Sequence, residues 1–504
     1  MMILTYEQKE ELGYKYVRDL LEPVCPYGAK RLKAEGFYGP ERREELEREL
    51  DNVGLLLAAL RTDEARLLSL RESLHGLKDL SGSFARCESE ALSEVELFEL
   101  TALCRRLEAL REKAQGIPVF EQLYEIDLEP LDGALKVLDP SGGRRLSFYV
   151  EDSRSEALQT AREEKRILER QLRELGASPA ENAAVETAPG ALREDLLQKR
   201  QAAAAAEEAA LQAVYKDMSE ALRPHLKVLK KDTAAAGHLD ACLAKALLAG
   251  RFGCARPEIG GETLRLSNAV HPQIAAALAE RNRRFTPISI GLPKGVTVLT
   301  GANMGGKSVA LKTVVLNLTL ALSGCFVFAE EALIPLFDRL ELINKDLSDA
   351  ARGLSSFGGE IHRFNEAAAH LAEGGLSFIA MDEFARGTNA REGAAIARGT
   401  VKYLSDKNAV TLLATHYDGA AQYAARHYQV KGLKKLEETP EAAAPENSLD
   451  ALRRIENAMD YGLIPVETEA ACPQDALTIC RMLGLPEEIL AEAGQRPQIH
   501  RTNG

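Results

Sequence analysis

Four short stretches of this chain carry residue types and spacings suited to chemistry on a phosphate chain. Residues 301–308 read GANMGGKS and fit G-x-x-x-x-G-K-[ST]. Such a loop has little side-chain bulk, so many backbone N–H groups can converge on one polyanion. Lys307 is then placed to reach the outer phosphates of a triphosphate, and the Ser308 hydroxyl to ligate Mg²⁺. In FIAMDEFARGTN, Asp382 and Glu383 follow an apolar run. Asp382 suits a divalent metal, directly or through water, and Glu383 suits the orientation or deprotonation of an attacking water. LLATHYD ends another apolar run at His416, a side chain able to sense a γ-phosphate or the water beside it. In SDAARGLSSFGGEIHRF, Ser355 or Ser356 precedes a helical stretch. Either one caps that helix, or the helix end is supplied to a phosphate, across a dimer interface.

The neighbouring residues say which elements must hold these groups. Val296, Val298 and Leu299 read as a buried strand entering the phosphate loop, and Val309, Leu311, Val314 and Val315 as the helix leaving it. LSFIAMDEF and AVTLLATHY read as strands with polar tips. Open α/β sheets bind ligands at the carboxyl ends of their strands, so these tips should gather at one edge.

Composition sets the class. The chain has 504 residues, enough for several domains, with 45% hydrophobic, 28% charged and 5% aromatic residues and no tryptophan. Ala, Leu, Glu and Arg dominate, which favours helix. The net charge of −13 excludes a whole-chain basic footprint for nucleic acid. Arg281, Arg283 and Arg284 form a local basic cluster, read here as a solvated face. The eight cysteines are scattered without any C-x-x-C and read as reduced thiols of a cytoplasmic protein, not a zinc site. The N-terminus becomes charged too early for a signal peptide. The longest apolar stretch, Val314 to Ala329, is interrupted by Asn317, Thr319, Ser323 and Gly324, so no membrane span is expected.

Along the chain, residues 1–125 read as a helical core. Residues 126–254 read as a connector and a helical arm. In the connector, GALKVLDPSGGRRLSFYV reads as a β-hairpin. The arm is a charged helix from Ser153 to Leu175, a loop over Gly176 to Gly190, and an Ala-rich helix from Ala191 to Leu222, paired antiparallel. Twenty-five helical residues would reach about 37 Å. From 255 to 496 strands alternate with helices, as in a mostly parallel α/β sheet. Residues 437–448 read as a flexible excursion, and 497–504 as a disordered tail.

These motifs together resemble the MutS ATPases of DNA mismatch repair and their relatives. TGANMGGKS is similar to that family's TGPNMGGKS, MDEFARGTN to its DE-x-GRGTS, LLATHYD to its ATHY segment and ARGLSSFGGEI to its G-x-STF-x-x-E stretch. NAVHPQI, RRFTPISI and CPQDALTICRMLGLPEEILAEA extend the resemblance over about 260–495. It implies an ABC-like P-loop ATPase domain using ATP and Mg²⁺. It implies adenine contacts from Phe285 and Thr286, with His416 close to the nucleotide. The phosphates would be held by the loop Gly301, Ala302, Asn303, Met304, Gly305, Gly306, Lys307, Ser308 and Val309. Ser308 and Asp382 would hold the metal, and Glu383 would activate water with Lys307 and His416 beside it. Ser355 would reach the nucleotide of a partner subunit, in a homodimer or a heterodimer with a related chain. Ala302 stands where the family has Pro, Val309 where it usually has Thr, and Gly358 and Gly359 where it has bulkier residues.

The resemblance leaves the load of the ATPase open. No Phe-x-Glu wedge stands in an N-terminal mismatch-reading domain, only about 15 residues join the arm helices, and the nuclease-type tail of longer relatives is missing. With the acidic charge, this favours a protein client. Some short relatives that resemble this chain are associated with amino-acid fermentation, as reactivases of cobalamin-dependent lysine aminomutases, and such an enzyme is the client expected here. The alternative is a MutS-like protein acting on mismatched or branched DNA.

Overall fold

The computed structural model describes residues 4–140, 150–176, 188–301, 306–344, 356–433, 459–471 and 476–494. Loop residues Ala302, Asn303, Met304 and Gly305, the trans-acting Ser355, the loop between the arm helices, the excursion at 437–448 and the tail lie outside the described residues. The chain forms two compact units: residues 1–22, 35–58 and 244–504 make one, and residues 23–34 and 59–243 the other.

The second unit is helical. Its helix Glu94–Gln115 starts in a capping box, with Ser93 and Glu96 satisfying each other's backbone N–H. Leu97, Leu100, Cys104, Leu107 and Leu110 recur at helical spacing and are buried. The helices Glu156–Gly176 and Ala188–Leu222 pack against each other. Arg162 and Lys165 meet Glu207 at 3.1 and 2.6 Å, while Arg200 meets Glu169 at 3.2 Å. Rising numbers on one helix meet falling numbers on the other, so the pair is antiparallel.

One local expectation is corrected. The first arm of the supposed hairpin, Asp132–Leu138, is an α-helix, and 141–149 lie outside the described residues. Ala134 and Leu138 are buried one helical turn apart, and Ala, Leu and Lys are strong helix formers. The apolar alternation that suggested a strand was too short to tell the two periods apart.

The first unit holds two sheets. Strands β1 (Glu258–Ile259), β2 (Leu264–Ala269), β3 (Ile288–Leu292) and β5 (Glu331–Ile334) form the smaller, in the order β1-β5-β2-β3. Strands β4 (Gly295–Thr300), β6 (Arg339–Ile343), β7 (Ser377–Asp382), β8 (Ala409–Ala414), β9 (Arg426–Leu433) and β10 (Met459–Val466) form the larger, in the order β10-β9-β4-β8-β7-β6. Only the β9–β10 pair of the larger sheet is antiparallel. Every residue of β4 and β8 is buried, as expected where helices cover both faces of a parallel sheet. Val296, Val298, Ile379 and Met381 share one face with Phe384, Val401 and Leu404. The helix Lys307–Leu322, itself nearly all buried, packs against β2, β7 and β8. Among the described residues, no helix is long and apolar enough to cross a membrane.

Candidate functional site

The large sheet levels three strand ends at one edge. Leu299 and Asp382 both pair with Ala414, so β4, β8 and β7 finish side by side. The Thr415 N–H donates to the Leu299 carbonyl at 3.0 Å, and the Glu383 N–H to the Ala414 carbonyl at 2.9 Å. Backbone bonds between neighbouring strands thus bring the phosphate-loop strand, the Asp-Glu pair and the ATHY segment together.

Gly306 begins the helix Lys307–Leu322 with φ +89°, a left-handed conformation that suits glycine. A side chain there would also strike the Tyr461 ring, since a Cβ would come within 2.9 Å of it. Lys307 is buried, and its Nζ donates to the Gly301 carbonyl at 2.8 Å. The ammonium therefore lies against the carbonyl of the residue that follows β4. The Ser308 hydroxyl donates to Asp382 Oδ1 at 3.1 Å. Burial raises the Asp382 carboxyl above its usual range, the adjacent Glu383 charge adds to that, and the Ser308 hydrogen bond opposes it.

Glu383 and Ala385 both have positive φ, +53° and +64°, which is strained for residues other than glycine. Three bonds hold the turn. One is the Glu383 N–H to Ala414, the second is the Ala385 N–H to the buried Glu360 Oε2 at 3.0 Å, and the third is the Tyr417 hydroxyl to the Ala385 carbonyl at 3.1 Å. The Glu383 carboxylate pairs with Arg386. His416 Nδ1 lies 4.0 Å from Glu383 Oε1 and has no hydrogen-bond partner among the described residues, and its ring rests on Tyr417. Burial holds the His416 imidazole below its ordinary range, against the pull of Glu383, and Lys307 and Arg386 push the same way as burial. An imidazole at this place can accept or relay a proton near Glu383.

Beside these groups opens a cavity of about 830 Å³, within the size range of small-molecule sites. Phe285, Thr286, Gly306, Lys307, Ser308, Val309 and Glu383 line it, as do Met459, Tyr461 and Arg386. Among the described residues Asp382 and His416 do not line it; Ser308 links it to Asp382, and Glu383 to His416. The cavity joins the start of the helix Lys307–Leu322 and an aromatic wall in one space. Arg281, Arg283 and Arg284 also line it, so the solvated-face reading of that cluster missed its second role.

Sequence reasoning also gave no role to Glu360, Arg386, Tyr417, Met459 and Tyr461. Glu360 and Arg386 stand inside motifs that were quoted, so their place in the pattern was the available signal. Met459 and Tyr461 carry no local signal at all.

Residues 297–498 match the family model of MutS domain V, which is an ATPase domain. The chain is 28% identical over 284 residues to the DNA mismatch repair protein MutS of Natronomonas pharaonis, covering 56% of this chain and 31% of that one. It is 30% identical over 285 residues to the endonuclease MutS2 of Lactococcus lactis subsp. cremoris, covering 56% and 34%. With the DNA mismatch repair protein MutS of Thermus thermophilus it shares 34% over 204 residues, 40% of this chain and 24% of that one. The matches thus span about a third or less of each relative's length. The C-terminal half is a distant homologue of MutS and MutS2, and its matched domain is an ATP-using ATPase domain.

Proposed function

We propose that this chain is a dimeric Mg-ATP hydrolase whose nucleotide cycle moves a macromolecular partner. The observation that carries it is the convergence of Lys307, Ser308 and Glu383 on the cavity that Phe285 and Thr286 also line. In this reading Phe285 and Thr286 take the adenine, and residues 301–309 with Lys307 take the phosphates. Lys307 leaves the Gly301 carbonyl for the outer phosphates, which offer it a full negative charge. Ser308 and Asp382 present a hydroxyl and a carboxylate 3.1 Å apart, hard oxygen donors that fit Mg²⁺. Bound there, the metal supplies charge neutralisation at the β- and γ-phosphates. Glu383 releases Arg386, orients the attacking water and accepts its proton, and His416 keeps that carboxylate's surroundings polar. Ser355 completes the site of the partner subunit.

For the load, we favour a protein client. The net charge of −13 and the short connection between the arm helices support it. By resemblance the client is a cobalamin-dependent aminomutase, from which the ATPase cycle would expel damaged cofactor. The names of the relatives favour the second reading, action on mismatched or branched DNA. Purified full-length chain tests the core of the proposal. It should hydrolyse ATP with Mg²⁺ and stop with EDTA, and Lys307→Ala should weaken nucleotide binding. Metal-independent hydrolysis, or nucleotide binding indifferent to Lys307→Ala, would overturn it.

A further inference from the structure

His427 lies in β9, paired with Val298 of β4 on one side and Val466 of β10 on the other. It is almost wholly buried, at 2% exposure. Its Nδ1 sits 2.9 Å from the Glu467 carbonyl, just past the end of β10, and its Nε2 sits 2.7 Å from the Thr300 hydroxyl, at the end of β4. A carbonyl can only accept, so Nδ1 carries the proton. In the neutral ring Nε2 is then the acceptor, and Thr300 donates to it. Burial pushes this imidazole below its ordinary range, against the pull of the Glu467 carbonyl. Thr300 is followed at once by Gly301, whose carbonyl holds Lys307.

The bridge holds the C-terminal end of β10, and the strand's other end, Met459 and Tyr461, is a wall of the cavity. β10 changes register between Asp460 and Leu463, and bulges of this kind re-aim side chains. Tyr461, inside that irregularity, lies so close to Gly306 that no side chain could stand there. Tyr461 and Met459 line the cavity, yet β10 is the edge of its sheet and pairs with β9 alone. A buried apolar residue at 427 would pack as well but would leave the Thr300 hydroxyl and the Glu467 carbonyl without this shared partner.

We infer that His427 is a positioning residue of the nucleotide site, tying the C-terminal end of β10 to Thr300 so that the phosphate-loop strand and the strand that carries Tyr461 at its far end keep one register. Tyr461, which lines the cavity, is then a nucleotide-contacting residue, and His427 acts on the site through Thr300 and through β10. The inference rests on the nucleotide reading of the cavity proposed above.

The sequence contains no tryptophan, so Tyr461→Trp places a single tryptophan on this wall, whose emission can be excited selectively at wavelengths above those the tyrosines absorb. Titrating that variant with ADP and with Mg-ATP should give a saturable change in emission. Adding His427→Phe should shift the unliganded emission to the red and raise the midpoint about tenfold, the scale of one lost buried hydrogen bond. KM for hydrolysis should rise by a similar factor, and kcat should fall less than KM rises. His427→Gln should restore both, since its amide can donate to Glu467 and accept from Thr300. Thr300→Val should act like His427→Phe, and the double variant should be no worse than either, because both remove one bridge. Should His427→Phe not fold, Thr300→Val carries the same test. Folded variants with wild-type midpoints and emission, or with additive effects, overturn the inference alone. A Tyr461→Trp reporter indifferent to nucleotide, in a chain that also hydrolyses none, overturns the site reading together with it.

Discussion

Ser308 Oγ lies 3.1 Å from Asp382 Oδ1, although 74 residues separate them in the chain. One stands in the first turn of the helix after β4 and the other at the last position of β7, and the strand order puts β8 between those strands. Burial raises the Asp382 carboxyl above its ordinary value. Below the unfolded pKa both states are protonated and Asp382 costs the fold nothing. As pH rises, the unfolded chain ionises first, so the fold loses stability through the window up to the raised folded pKa. The metal-free protein should therefore lose part of its melting temperature between acid and neutral pH at this residue. Asp382→Asn should remove that loss and melt higher than wild type at neutral pH without metal, while abolishing Mg-dependent hydrolysis. Thermal melts of both proteins across pH, in EDTA, check the sign; an Asp382→Asn variant that melts lower at neutral pH contradicts it.

Glu383 sits at φ +53°, held there by the Ala414 carbonyl and by the turn that Glu360 braces. The strain persists because the surrounding bonds over-determine the turn. Glu383→Gln keeps the shape and removes the base. Turnover should fall by about 10² or more, the scale of a positioned general base. Nucleotide binding should persist, so a rapid-quench assay should find uncleaved ATP on the protein. Hydrolysis at the wild-type rate would remove Glu383 from the mechanism.

Lys245 is 1% exposed and contacts Glu49 and Glu35 at 2.7 and 2.9 Å, within the unit that carries the site. A buried pair stripped of one partner leaves an uncompensated charge. Lys245→Ala should cost about 3–5 kcal/mol. Arg18 also pairs with Glu35, at 3.5 Å, so replacing the whole group of charges with apolar residues of like volume, Lys245→Met with Glu49→Leu, Glu35→Leu and Arg18→Met, should cost far less. Urea unfolding of the two variants compares them, and a mild Lys245→Ala would show that water reaches this group.

The parts of the site that were legible from sequence are those in which chemistry and local geometry share one short stretch. The loop around Lys307 and Ser308 needs glycine between a strand and a helix, and that need is written in consecutive residues. The Asp382–Glu383 pair and His416 were legible because apolar runs ending in polar residues mark strand tips. Asp132–Leu138 was misread because seven residues with few polar positions fit either period. Tyr461 and His427 were not legible at all, and Glu360 only by its place in a quoted motif. Their roles come from strand neighbours and helix packing set by topology, and no spacing along the chain encodes that β9 lies between β4 and β10.

A composite dimer makes a prediction that no single subunit can satisfy. Ser355 is expected to act on the partner's nucleotide, while Lys307 serves its own. Mixing Ser355→Ala chains with Lys307→Ala chains should produce heterodimers with one intact site and one doubly damaged site. Steady-state ATP hydrolysis in the mixture should exceed the sum of the two separate variants. Rates equal to that sum exclude action in trans.

The last prediction concerns DNA, where the names of the relatives and the charge of this chain pull apart. Duplex binding depends chiefly on neutralising phosphates with Lys and Arg, and here 63 basic residues face 76 acidic ones. Any binding surface must be local. The basic cluster Arg281, Arg283 and Arg284 lines the cavity beside Lys307, where a nucleotide's own phosphates would compete for it. The segment joining the arm helices holds two acids and no Lys or Arg, a composition that suits protein better than phosphate. Reading a mismatch also requires a wedge that unstacks bases, at a cost of a few kcal/mol that a wide contact must offset. Sequence-independent affinity should accordingly fall near ~10⁻⁴ M at about 150 mM salt, the weak end of the usual range. A titration with fluorescently labelled matched and mismatched duplexes, with and without ATP, measures both quantities. We expect equal midpoints for the two duplexes. A mismatch preference of about tenfold, or about 1.4 kcal/mol, would replace the protein client with DNA and bring this chain's load back to that named for its relatives.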